Sequence, residues 1–203
     1  MKVVWCDTET TGLEPENSGA FQIAILYKHG ADPTKVWTRI FYLNPLDEAQ
    51  GIIYHDESYN THGVSKETIE GYEKAADVMP KIANFFTEYS KSFKEDGKPE
   101  KLTFAGYNCP FDWKHLNALF QRYTKFQMSD FFEPRTLDVY QQVKRARAMG
   151  KISTVNQKLG TVCKSLNVSL ENAHDALGDI TATRLLAIRL DRMGVPLIVC
   201  NYC

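Results

Sequence analysis

Val3-Val4-Trp5-Cys6-Asp7-Thr8-Glu9-Thr10-Thr11-Gly12 decides how the rest of this chain is read. A short apolar run, Val3 to Trp5, ends by delivering two carboxylates, Asp7 and Glu9, at positions i and i+2. Side chains two apart on a strand point to one face, so both acids can grip one cation. On its own, Asp-x-Glu is common in a chain with 24% charged residues, and its ordinary meaning is a solvated turn. Here the following Thr-Thr-Gly reads as a tight turn directly after two acids on a buried strand, a costly place for charge without a partner. The stretch therefore predicts a strand over Lys2–Cys6 that presents a metal-binding pair of acids at its end.

At 203 residues the chain is long enough for one well-filled core and short for two. An apolar fraction of 43% with 12% aromatics excludes a disordered chain. The formal charge of -1 supplies no global field towards a polyanion, so any nucleic-acid contact must rest on local patches. No N-terminal stretch resembles a secretory signal and no run approaches the ~18–20 apolar residues of a membrane span, so a soluble, cytoplasmic protein with no membrane partner is expected. The five cysteines, Cys6, Cys109, Cys163, Cys200 and Cys203, are odd in number and irregular in spacing, which fits reduced thiols. Cys200-Asn201-Tyr202-Cys203 lacks the second ligand pair of a structural zinc site and reads as part of a tail.

Further strands are predicted over Phe21–Lys28 and Val36–Leu43, joined through His29-Gly30-Ala31-Asp32-Pro33 as an antiparallel hairpin or meander. A polar loop precedes a helix over Ala75–Phe93, where Val78, Ile82, Phe85, Phe86 and Tyr89 recur at helical spacing. The charged segment Lys94–Lys101 reads as a solvated loop. Leu102–Tyr107 then reads as a strand parallel to the first, with helices following at about Phe111–Tyr123, Leu137–Met149, Asn156–Leu166 and Asp175–Met193. The outcome is one α/β domain with an antiparallel portion beside a central parallel pair.

Two later fragments carry chemistry. In Tyr107-Asn108-Cys109-Pro110-Phe111-Asp112, Pro110 suits the first position of a helix and Asp112 falls in its first turn. An acid there complements the helix dipole without any function. Yet the turn follows a strand predicted to lie parallel to the first, so Asp112 is carried towards Asp7 and Glu9. In His174-Asp175-Ala176-Leu177-Gly178-Asp179, a continuous helix would hold His174 and Asp179 ~140° apart. Sharing one site requires His174 to precede the helix and fold over its start.

Together the three fragments resemble the DEDDh, or DnaQ-like, 3′–5′ exonucleases of the RNase H-like superfamily. The likeness rests on D-x-E-T-T-G at 7–12, Y-N-x-x-F-D at 107–112 and H-x-x-x-x-D at 174–179, in the family's order. Thr61-His62-Gly63-Val64-Ser65 is similar to the family's H-G-I-T segment, and Thr136-Leu137-Asp138 to its helix before the last motif. The tyrosine variant places Tyr four residues before the last Asp, where this chain has Asp175, so the histidine class fits better. Tyr107 departs from the His that many members carry before the Asn.

The resemblance implies a central mixed five-stranded sheet, three antiparallel strands plus parallel ones, flanked by helices in a single exonuclease domain over 1–195 with a tail over 196–203. It implies two Mg²⁺ or Mn²⁺ ions held by Asp7, Glu9, Asp112 and Asp179, and His174 as the base that takes the proton of the attacking water. Thr10, Leu13, His62 and Asn108 would line the substrate groove, while Asp138 reads as a structural acid. The implied reaction shortens single-stranded DNA or RNA from the 3′ end and releases nucleoside 5′-monophosphates. Proofreading beside a separate polymerase, or another replication or repair partner, is an alternative setting for the same activity. A non-catalytic nucleic-acid-binding module on the same scaffold is a competing reading; loss of a motif acid or of the histidine would mark it, and all five are present. The basic run Lys144, Arg145, Arg147 and Lys151 has the charge to follow phosphates, although such a run is more often a solvated helix face.

Overall fold

Strand β1 (Val3–Thr10) lies inside the sheet, antiparallel to β2 (Ala20–Lys28) on one side and parallel to β4 (Leu102–Gly106) on the other. Strand β3 (Val36–Tyr42) pairs antiparallel with β2, β5 (Phe132–Asp138) pairs parallel with β4, and β6 (Val199–Asn201) pairs antiparallel with β5. The order across the sheet is β3-β2-β1-β4-β5-β6. This is a computed structural model, and it describes residues 2–28, 35–91 and 100–201. Helices α1 (Asp56–His62), α2 (Lys66–Glu70) and α3 (Ala75–Lys91) fall between β3 and β4. Helices α4 (Cys109–Tyr123) and α5 (Met128–Phe131) precede β5; α6 (Val139–Ala148), α7 (Leu159–Ser165) and α8 (Ala176–Arg192) follow it. Among the described residues no helix is long and apolar enough to cross a membrane.

The period of two along the inner strands gives each sheet face its own core. From β2, Ile23, Ile25 and Tyr27 enter a cluster with Val4 and Cys6 of β1 and with the apolar stripe of α3, Val78, Met79, Ile82 and Phe86. Phe86 is fully buried and meets the rings of Phe132, Phe131 and Phe120 at 5.0, 5.6 and 6.2 Å between centroids. The alternate β2 residues Ala24 and Leu26 face the other way, against Ala176 and Ile180 of α8 and Trp5 of β1. Trp5, Asp7 and Glu9 alternate with Val4, Cys6 and Thr8, so the same period that buries Trp5 turns both acids towards the α8 side.

Four differences from the sequence reading have local causes. Strand β1 does not stop at Cys6: its antiparallel ladder with β2 continues through Glu9, with a register shift at Thr10, so both acids sit on the strand and not past it. The polar loop after β3 contains the short helices α1 and α2. Residues Thr136–Asp138, read as helical, close β5, and Asp138 caps α6 by accepting from Tyr140 N at 2.9 Å. Among the described residues the sheet has six strands and not five, because β6 lies in the stretch read as a tail. There the hydrogen-bonding edge of β5 accepts it, and Arg145 of the basic run donates to the Pro196 carbonyl just before it. The link at 29–33, residues 94–99 of the charged loop, and Tyr202 and Cys203 lie outside the described residues.

Gly106 lets β4 approach β1 at the point where the two strands part. A Cβ there would stand 2.9 Å from the Cys6 carbonyl oxygen and 3.5 Å from Cys109 Sγ. Gly106→Val is expected to cost about 1–3 kcal/mol in urea unfolding, since the inserted bulk meets backbone that cannot rotate away; unchanged stability would show that the strands are free to separate here.

Candidate active site

Strand β1 outruns β4. The last residue of β1 paired with β4 is Trp5, opposite Ala105, and after Gly106 the chain turns away into α4. The Thr8 N–H on this open edge therefore needs another acceptor. Asp112, in the first turn of α4, supplies it: its Oδ1 accepts from Thr8 N at 2.9 Å and from Thr8 Oγ1 at 2.8 Å. Asn108 starts that turn in the left-handed region (φ 62°), its own N–H donating to Asp138 Oδ1 at 2.9 Å and its carbonyl accepting from Phe111 N at 3.0 Å.

The third fragment arrives from α8. His174 stands outside the helix in the left-handed region (φ 66°), as does Asn172 (φ 54°), and Asp175 is the N-cap, its Oδ2 accepting from Gly178 N at 3.1 Å. Gln22 of β2 locks the cap, donating from Nε2 to Asp175 Oδ1 at 2.6 Å and accepting from Ala176 N at 3.2 Å. The loop lies so close over the helix start that a Cβ on Gly178 would strike the Glu171 carbonyl and stand 2.7 Å from that of Asn172. Neither Thr8 nor Gln22 was singled out from sequence, because each acts by serving a partner more than a hundred residues away.

Carboxylate oxygens of Asp7, Glu9 and Asp179 come within 4.8 Å of one another. With Asp112, they line a cavity of about 780 Å³ that also includes Asn108 and His174. Glu9 is 8% exposed and Asp112 2%, Asp7 and Asp179 are half-buried, and His174 is exposed at the rim. Thr10, Leu13 and His62 do not line this cavity. They line an adjoining one of about 470 Å³, which shares Thr8, Glu9 and Phe111 with the first. Leu13 is 78% exposed, and the Thr10 hydroxyl is committed to its own turn, donating to the Gly12 carbonyl at 2.7 Å. His62 accepts from Val64 N through Nδ1 at 3.0 Å and meets Phe21 edge-on at 4.7 Å.

Burial sets the electrostatics. It raises the Glu9 carboxyl from 4.5 to about 8, with Asp179 and Asp112 adding repulsion. It drives Asp7 well above the usual carboxylate range, reinforced by Asp112, Glu9 and Asp179. Asp112 is pushed from 3.8 to about 7 by burial although both Thr8 hydrogen bonds oppose the change. Asp179 is raised by burial against the pull of His174. Such a cluster of hard oxygen donors fits divalent cations, and one further feature fits them too: among the described residues, Asp179 Oδ1 is buried with no hydrogen-bond partner.

The RNase T exonuclease family model matches residues 4–186. Among solved structures, an exonuclease I chain is similar over 94% of this chain and 41% of its own, at 20% identity and a TM-score of 0.74. E. coli exonuclease I in complex with a dA16 oligonucleotide is similar over the same shares, at 20% identity and 0.71. Cell-death related nuclease 4 is similar over 98% of this chain and 66% of its own, at 16% identity and 0.72. The chain thus spans about two fifths of the exonuclease I chains, and at these identities the likeness speaks for the fold. No curated protein sequence matches the chain.

The raised carboxyls fix the sign of a stability effect. Between the ordinary value of 4.5 and about 8 the folded protein holds a proton on Glu9 that the unfolded chain releases, and Asp112 acts alike between 3.8 and about 7. Melting in EDTA should therefore rise in temperature as pH falls from about 8.5 to about 7, above the range in which His62 and His115, both lowered by burial, act with the opposite sign, and Glu9→Gln should flatten that rise. A wild-type profile that falls over the same range would contradict the crowding of these acids.

Proposed function

The chain belongs to the RNase T exonuclease family, and on that premise we propose that it is a cytoplasmic, metal-dependent 3′–5′ exonuclease acting on single-stranded nucleic acid. One observation carries the reading: three carboxylates within 4.8 Å, one with an unpartnered buried oxygen, open on a cavity whose rim holds His174. Asp7, Glu9 and Asp179 would hold the cations, with Asp112 completing the set. Two Mg²⁺ or Mn²⁺ ions, when bound, supply Lewis-acid stabilisation of charge on the phosphoryl and leaving oxygens.

The chain's own residues account for the remaining work. The β1–β2 ladder fixes the backbone of Asp7 and Glu9 and turns both side chains to one face, which limits the rearrangement needed to meet a ligand. His174, exposed and held by the loop that Gly178 admits, takes the proton of the water that attacks phosphorus. In-line attack then expels the 3′-oxygen of the preceding nucleotide, and the released unit keeps its phosphate on the 5′ side. Thr10, Leu13 and His62 would seat the terminal nucleotide in the adjoining cavity, with exposed Leu13 placed to wedge against a base. Asn108 would meet the strand at the lip of the acid cavity. A single-stranded end suits this layout, since unstacked bases can enter a groove that a duplex cannot. One solved complex of E. coli exonuclease I is with single-stranded DNA.

With 5′-labelled single strands and Mg²⁺, the wild type should give a ladder shortening from the 3′ end. Asp179→Asn should lower turnover by at least ~10³-fold while melting no lower than wild type, because relieved repulsion offsets the lost group. His174→Ala should lower kcat by ~10²–10⁴-fold with KM nearly unchanged. Full activity in Asp179→Asn, or a loss in His174→Ala confined to KM, would reject these roles.

A further inference from the structure

Among the described residues, one stretch of the acid cavity's lining carries no carboxylate. It is built by Asn156, Gln157 and Lys158, with Leu159, Gly160 and Thr161 continuing into α7. Its shape is fixed from several sides: Thr154 Oγ1 donates to the Asn156 carbonyl at 2.7 Å, and Lys158 N donates to Asn156 Oδ1 at 3.0 Å. The Tyr107 hydroxyl donates to the Gln157 carbonyl. Tyr107 directly precedes Asn108, so the turn that aims Asp112 at Thr8 also braces this stretch of the lining.

Lys158 is exposed, and among the described residues it makes no ion pair. Among the described residues it is the one ammonium that lines the cavity holding Asp7, Glu9, Asp112 and Asp179. An ammonium that lines the same cavity as four carboxylates and pairs with none of them is available to a different anion. Charge balance says which. Two divalent cations neutralise four carboxylates, which leaves the negative charge of the substrate's own phosphodiester to be countered by the protein. We propose that Lys158 grips a backbone phosphate within the last two linkages of the 3′ end, with Tyr107 as the positioning residue that holds its loop through Gln157. This rests on the exonuclease reading for the direction of the strand. A lysine is suited to it, as a point charge that binds phosphate without reading sequence.

Anisotropy of a 5′-fluorescein-labelled single-stranded oligonucleotide, with Ca²⁺ present and salt varied from about 50 to 200 mM, reads the grip directly. Lys158→Gln should weaken binding roughly five- to tenfold and reduce the salt slope by ~0.7, and Lys158→Arg should restore both. One methylphosphonate within the last two linkages should weaken the wild type more than it weakens Lys158→Gln. Tyr107→Phe should weaken binding yet keep the wild-type slope, because the charge remains. A wild-type affinity and slope in Lys158→Gln, or an equal methylphosphonate penalty in both proteins, would overturn the proposal, as would failure of the wild type to bind. Shortening of the same oligonucleotide in Mg²⁺ separates the two readings: binding with a Lys158-dependent slope but no shortening keeps the grip and discards the exonuclease.

Discussion

The site depends on one mismatch of lengths: β1 runs on after β4 has ended. A backbone N–H left without a ladder partner in a buried position has to be satisfied, and Thr8 N–H is satisfied by the Asp112 carboxylate. That bond draws the start of α4 over the end of the sheet and brings a third acid to the two that β1 already carries. The same overrun leaves Asp7 and Glu9 paired with β2 on one side and open on the other, so their backbone is fixed while their carboxylates line a cavity open to a ligand.

Gathering acids this way stores unfavourable energy in the folded protein. Burial is the largest cause for all four carboxyls, with mutual repulsion added for Asp7 and Glu9, and Thr8 relieves Asp112 only in part. A folded state that holds such groups is stabilised by whatever removes their charge, either protons or cations. Cations do so while leaving the carboxylates ionised, and this links the proposed chemistry to stability. Lys158 lines the same cavity and, among the described residues, forms no ion pair with these acids.

Much of this was legible in the sequence because it is local. The i, i+2 spacing of Asp7 and Glu9 fixes a shared face on any strand, Pro110 marks the start of α4, and the angular separation of His174 from Asp179 requires the break that the left-handed His174 provides. The strand β5 escaped the reading because Phe132-Glu133-Pro134-Arg135 interrupts its apolar run with charge and a proline, while the helical spacing of α6 extends back into Leu137. Strand β6 escaped because three residues carry no periodicity, and only the exposed edge of β5 gives them a partner. The roles of Gln22, Thr8 and Tyr107 are set by contacts across 153, 104 and 50 positions of sequence, and no spacing pattern encodes such distances.

The central claim is that these carboxylates form a cation site whose protons leave when it fills. Calorimetric titration of the protein with Mn²⁺ at neutral pH, repeated in buffers of different ionisation enthalpy, tests it most directly. Saturable binding with net release of protons is expected for the wild type, with both binding and release reduced in Asp7→Asn. Binding without proton release, or unchanged by loss of Asp7, would contradict the account.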